Sequence, residues 1–126
     1  MRINFESIKP IYLQVAEAIE DDIILGRLKD SDPVYSQLVL ARELNINPAT
    51  AAKGINLLVQ KGILIKQRGL SMLVAGGAKE RLTDEKLEKE FAETMRQLVE
   101  QANKIGLSQK QVLEKLNSAF SETIVN

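Results

Sequence analysis

The sequence has no cysteine, no histidine and no tryptophan, and its only aromatic side chains are three phenylalanines and two tyrosines. Without cysteine there are no disulfides and no thiolate chemistry. Without histidine, the commonest metal ligand and the commonest proton carrier near neutral pH are missing. Enzymatic readings therefore lose their usual groups, and neither a metal nor another cofactor is expected. The scarcity of aromatics requires an aliphatic core. No apolar run approaches the roughly 20 residues of a membrane span, and residues 1–7 lack the charged start and apolar stretch of a signal peptide. A cytoplasmic protein with no membrane partner is the expectation. Glycine-rich phosphate loops, zinc-ligand spacings and nucleophile motifs are also absent. The neighbouring acids Asp21 and Asp22 cannot face one site on a helix and read as solvated surface.

What remains is a chain of 126 residues, 44% hydrophobic and 27% charged, an ordinary globular composition. That length suits one compact core, or a core of about 75 residues with an appendage. The formal net charge is zero, but its distribution is uneven. Residues 1–35 carry four basic side chains against seven acidic ones. Residues 36–75 carry five basic ones (Arg42, Lys53, Lys61, Lys66 and Arg68) against Glu43 alone. Residues 76–126 are nearly balanced, with signs alternating as on solvated helices. Neutrality overall conceals a localised basic segment, which is the electrostatic footprint of a nucleic-acid surface.

Local signals organise that segment. Ile11, Val15, Ile19 and Ile23, with Tyr12 and Ala16 beside them, form a helical stripe that starts after Pro10 and ends at Gly26. Residues 27–33 read as a loop, with a short strand near Val34 and Tyr35. Ser36 is placed to cap a second helix carrying Leu40, Ala41 and Leu44 inward, and Asn45 suits the left-handed turn that stops it. Asn47 and Pro48 then form a cap and first-position proline for a third helix. Its inward residues are Ala51, Ile55, Leu58 and Val59, and it ends at Gly62. Two short β-type runs, 63–65 and 72–74, flank a basic tip and predict a hairpin.

Two short helices joined by Asn45 and Ile46 have the tight connection of a helix-turn-helix, and the following hairpin lies where a wing belongs. The expected partner is double-stranded DNA. Asn47, Ala49, Thr50 and Lys53, at the start of the third helix, are the residues expected in the major groove. Ser36 and Arg42 are expected to face the backbone, and Lys66, Gln67, Arg68 and Gly69 to supply the wing.

Gly76 and Gly77 read as a hinge. Beyond them, from about Thr83, Leu87, Phe91, Met95, Leu98, Ala102 and Ile105 recur at steps of three or four up to Gly106. A last helix starts at Ser108, with Gln111 as capping-box partner, and presents Val112, Leu113, Leu116 and Phe120. Such a hairpin has few apolar partners unless a second copy of the chain supplies them, so a homodimer is expected. Its two-fold axis would match a palindromic site with half-sites near one helical turn apart. The expected architecture is mainly α: a winged helix-turn-helix domain over 1–75, then a two-helix dimerisation hairpin over 78–126.

The chain resembles the GntR family of bacterial regulators, in particular its short-tailed YtrA-like branch. The resemblance rests on Pro10-Ile11-Tyr12, Ile24-Leu25-Gly26-Arg27-Leu28, Leu44-Asn45-Ile46-Asn47-Pro48-Ala49-Thr50, Gly62-Ile63-Leu64 and Arg68-Gly69. It runs continuously over residues 10–74. It implies operator binding as a homodimer, usually in repression. The chain departs from the family at Tyr35, where a proline is common, and at Leu38, where an arginine is common. The wing reads Arg68-Gly69-Leu70-Ser71-Met72 instead of carrying a second basic residue. Each missing phosphate contact should lower affinity and flatten its salt dependence by about one unit of slope. The alternative expectation is an adaptor that keeps the fold but uses the apolar Leu38 and Leu70 to meet a protein. A chain this small leaves a small-molecule effector only the domain junction or the dimer interface, and no residue names its chemistry.

Overall fold

In the computed structural model, which describes residues 2–67 and 72–123, two compact units are present, 1–84 and 85–126. The first contains α1 (Ile11–Ile24), α2 (Gln37–Leu44), α3 (Pro48–Gln60), β1 (Leu64–Ile65), β2 (Leu73–Val74) and most of α4 (Ala78–Lys86). The second contains a π-helical segment, Leu87–Phe91, followed by α5 (Ala92–Lys104) and α6 (Gln109–Thr123). Among the described residues no helix is long and apolar enough to cross a membrane.

Local chemistry sets the helix limits. The Val39 amide donates to Ser36 Oγ at 3.2 Å and the Ala49 amide to Asn47 Oδ1 at 2.8 Å, so both expected caps form. Asn45 adopts φ 55°, ψ 51° and ends α2 in the left-handed region. Val15, Ile19 and Ile23 of α1 pack with Leu40 and Ala41 of α2, and with Ala51, Ile55 and Leu58 of α3, in one aliphatic core. Each such large side chain contributes roughly 1.5–3 kcal/mol by leaving water. The hairpin pairs Leu64 with Val74 and Ile65 with Leu73, antiparallel. The strand expected near Val34 is a bridge from Pro33 to Leu73, with the Val34 amide donating to the Met72 carbonyl at 2.8 Å.

The unit boundary differs from the expected one. Gly76 and Gly77 do not separate two bodies, because Ala78 and Leu82 are buried in the first core. Gly77 sits at φ +77°, and its amide donates to the Asp30 carboxylate at 3.2 Å. The division falls between Asp84 and Glu85, inside α4. Arg81 of α4 ties this helix to the end of α3, donating to the carbonyls of Lys61 at 2.6 Å and Gly62 at 2.9 Å. Those carbonyls close α3 without helical partners, and a guanidinium there also opposes the helix dipole. Arg81→Ala is expected to cost about 1 kcal/mol, below the roughly 1.5–3 kcal/mol of charge-assisted bonds because the site is exposed to water. Urea unfolding monitored by circular dichroism would show it as a lower midpoint at unchanged slope.

In the second unit, Ser108 and Gln111 form the expected capping box: the Ser108 amide donates to Gln111 Oε1 at 2.8 Å and the Gln111 amide to Ser108 Oγ at 3.2 Å. The π-helical segment has a reason in the sequence pattern. The steps Leu87 to Phe91 to Met95 are four residues each, and in an α-helix each step would drift about 40° around the axis. A wider turn keeps the three closer to one face. Of the ten residues expected to form the dimer seam, Ala102 is buried within the unit and Val112 is half-buried. Leu87, Phe91, Met95, Leu98, Ile105, Leu113, Leu116 and Phe120 are exposed in the single chain.

Candidate nucleic-acid interface

The helix-turn-helix is closed by its core, and the same packing decides what α3 shows to solvent. Ala51, Gly54, Ile55 and Leu58 are buried, so the exposed stripe is Ala49, Lys53, Asn56 and Gln60, at steps of four, three and four. Ala49 and Lys53 were expected there; Thr50 is half-buried beside them. Asn56 and Gln60 escaped the sequence reading, although helical spacing from Lys53 reaches both. Asn56 lies one turn beyond Lys53 and carries the amide that pairs bidentately with adenine.

The caps have double duty. Ser36 Oγ accepts from Val39, leaving its O–H to donate, and Asn47 Oδ1 accepts from Ala49, leaving its NH2 to donate. Both groups therefore keep a donor that can meet a phosphate oxygen or an acceptor on a base edge.

The basic segment is smaller than its sequence count. Lys61 Nζ is 2.8 Å from the carboxylate of Glu20, whose side chain is 9% exposed, so this lysine neutralises a buried acid of α1. Arg42, Lys53 and Lys66 are exposed and pair with no carboxylate among the described residues. Gln67 is half-buried. Arg68 and Gly69, with Leu70 and Ser71, lie outside the described residues, so their expected wing contacts are not placed. Lys53 has a different neighbour: its ammonium lies 4.1 Å from the centroid of the Tyr12 ring. Tyr35 and Leu38, the departures from the family pattern, are both exposed at the start of α2.

A helix-turn-helix with a two-stranded hairpin after its second helix and a capping helix before it defines a winged helix-turn-helix protein. No protein-family model matches the chain. Its sequence is 29% identical over 122 residues to the HTH-type transcriptional repressor YtrA of Bacillus subtilis, covering 97% of this chain and 90% of that protein. Its fold matches YtrA from Sulfolobus acidocaldarius, a GntR-family transcription factor, with a TM-score of 0.58, 26% identity and coverage of 99% and 100% of the two chains. The N-terminal domain of AraR, solved in complex with the mutant ORR3, matches 56% of this chain and 100% of its own, with a TM-score of 0.53 and 28% identity. Over nearly its whole length the chain is thus similar to GntR-family transcription regulators of the YtrA-like kind.

Proposed function

We propose that the chain is a homodimeric repressor that binds a palindromic DNA operator, with α3 in the major groove and the second unit holding two copies together. The carrying observation is the polar outer stripe of α3 with Lys53 exposed and unneutralised, next to two helix caps that keep a free donor each. In this reading Arg42, Ser36 and Asn47 bind phosphates, while Ala49, Thr50, Lys53 and Asn56 approach base edges. Lys66, Gln67, Arg68 and Gly69 serve as the wing. The eight exposed seam residues named above, in the 85–126 unit, supply the contact between copies. A two-fold dimer of this kind suits half-sites about one helical turn apart.

A shift assay on the region upstream of its own gene, run across a salt series, tests the DNA surface. Lys53→Ala and Arg42→Ala are each expected to weaken binding and to reduce the slope of log affinity against log salt by about one unit. Unchanged affinity and slope in both variants would show the assigned surface to be wrong.

The second reading, a dimeric adaptor with little or no DNA binding, draws on Leu38, 60% exposed at a position where the family usually places an arginine. Equal affinity for the upstream region and for random duplex of the same length would favour it.

A further inference from the structure

Lysine is a flexible cation on a four-carbon stem, and an exposed one ordinarily loses that freedom only when it binds. Lys53 is an exception, since its ammonium rests over the Tyr12 ring at 4.1 Å from the centroid, well inside the range of a cation–π contact. The pairing follows from how the helices meet. Next to Lys53 in α3 is Gly54, and a Cβ there would lie 2.7 Å from the Tyr12 carbonyl oxygen and 3.0 Å from Val15 Cβ. The backbone of α1 at Tyr12 thus rides directly on α3 at the residue adjoining Lys53, and the half-buried ring is set beside the lysine stem.

The choice of partner matters chemically. Three other cations of the first unit are held by carboxylates: Lys9 by Glu17, Arg27 by Asp22 and Lys61 by Glu20. A carboxylate orients a cation but cancels its charge toward a phosphate. An aromatic face orients it and leaves the charge in place. We propose that Tyr12 is a positioning residue for DNA binding, its ring holding the Lys53 ammonium ready for a phosphate oxygen. The inference rests on the reading of α3 as the DNA-facing helix, and it adds a residue of α1 to the determinants of that contact.

Two measurements separate the inference from that reading. In the free protein, NMR should place the Lys53 ε-methylene protons upfield of their ordinary position through the ring current. The shift should persist in Tyr12→Phe and vanish in Tyr12→Leu, which keeps apolar bulk under the lysine. An unshifted resonance in the wild-type chain overturns the contact whatever the variants do. On upstream duplex found by footprinting, Tyr12→Leu should bind about two- to fivefold more weakly, as expected of one exposed cation–π contact. Tyr12→Phe should match the wild type, and Tyr12→Leu should have no further effect once Lys53 is alanine. If Tyr12→Phe loses as much as Tyr12→Leu, the hydroxyl touches DNA itself and the positioning role falls. Additive losses from Tyr12→Leu and Lys53→Ala overturn it as well. If Lys53→Ala costs nothing, the reading of α3 falls; if Lys53 matters and Tyr12 does not, only the positioning role falls.

Discussion

Glutamate at both Phe91 and Leu98 is expected to convert a dimer to a monomer and to weaken operator binding by about two to four orders of magnitude. Residues 85–123 bury very little of their own apolar surface: Ala102 is the buried side chain of α5, whereas Phe91 is 56% and Phe120 68% exposed. Short helices in water gain most of their stability from packing an apolar face, and the charged pairs along α5, such as Arg96 with Glu93, are too exposed to replace it. The Arg96 guanidinium beside Glu93 holds that carboxyl below its ordinary range, yet both groups are in water and stabilise the helix only slightly. In the proposed dimer a second copy supplies the missing surface. Two carboxylates placed in such a contact would have to be desolvated without partners, which costs more than the helices gain by associating. The loss on DNA is large because a linked second half-site binds at high effective concentration, and a monomer forfeits that linkage. Sedimentation equilibrium and a DNA titration on the same preparation check both parts. A wild-type chain that is monomeric at tens of micromolar, or a double variant that remains dimeric, would sink the prediction.

What the sequence made legible was local. Ser36, Asn47 with Pro48, and Ser108 with Gln111 announce helix starts because a cap satisfies amides two or three residues away, so its signal lies within a few positions. The limits that failed depend on distant contacts. Ala78–Lys86 is almost wholly polar, and its two buried residues, Ala78 and Leu82, make no visible stripe. The sequence therefore suggested a helix from Thr83 and a hinge at the glycines. Lys61 counted as open charge because its acid, Glu20, is 41 residues away in the chain. Asn56 could have been found from helical spacing alone. Tyr12 could not, because its bearing on Lys53 depends on the register of α1 against α3. The wing residues Arg68 and Gly69 remain legible only as sequence.

Gly54→Val is expected to destabilise the first unit by about 3 kcal/mol, and Gly54→Ala by about 1 kcal/mol. In a helix interior, glycine is ordinarily a liability: alanine there should gain close to 1 kcal/mol from propensity alone. Two observations reverse the sign. The added Cβ would stand 2.7 Å from the Tyr12 carbonyl oxygen, a backbone atom that cannot swing aside, and 3.0 Å from Val15 Cβ, fully buried in the core. Relief requires α1 to move away from α3, across the most extensive helix contact of the unit. Overpacking of this kind costs roughly 1–3 kcal/mol, more than the propensity gain for alanine. For valine that gain is smaller, and two methyl groups extend the collision. At about 4–8 °C per kcal/mol for a domain of this size, thermal unfolding should fall by at least about 12 °C in the valine variant. A higher melting temperature in Gly54→Ala would show that α1 yields easily and that the close approach constrains nothing. The same displacement would lift the Tyr12 ring away from Lys53. Gly54→Ala, still folded at room temperature, should therefore lose DNA affinity along with the upfield Lys53 resonance, linking the fit of two helices to the placement of one charge.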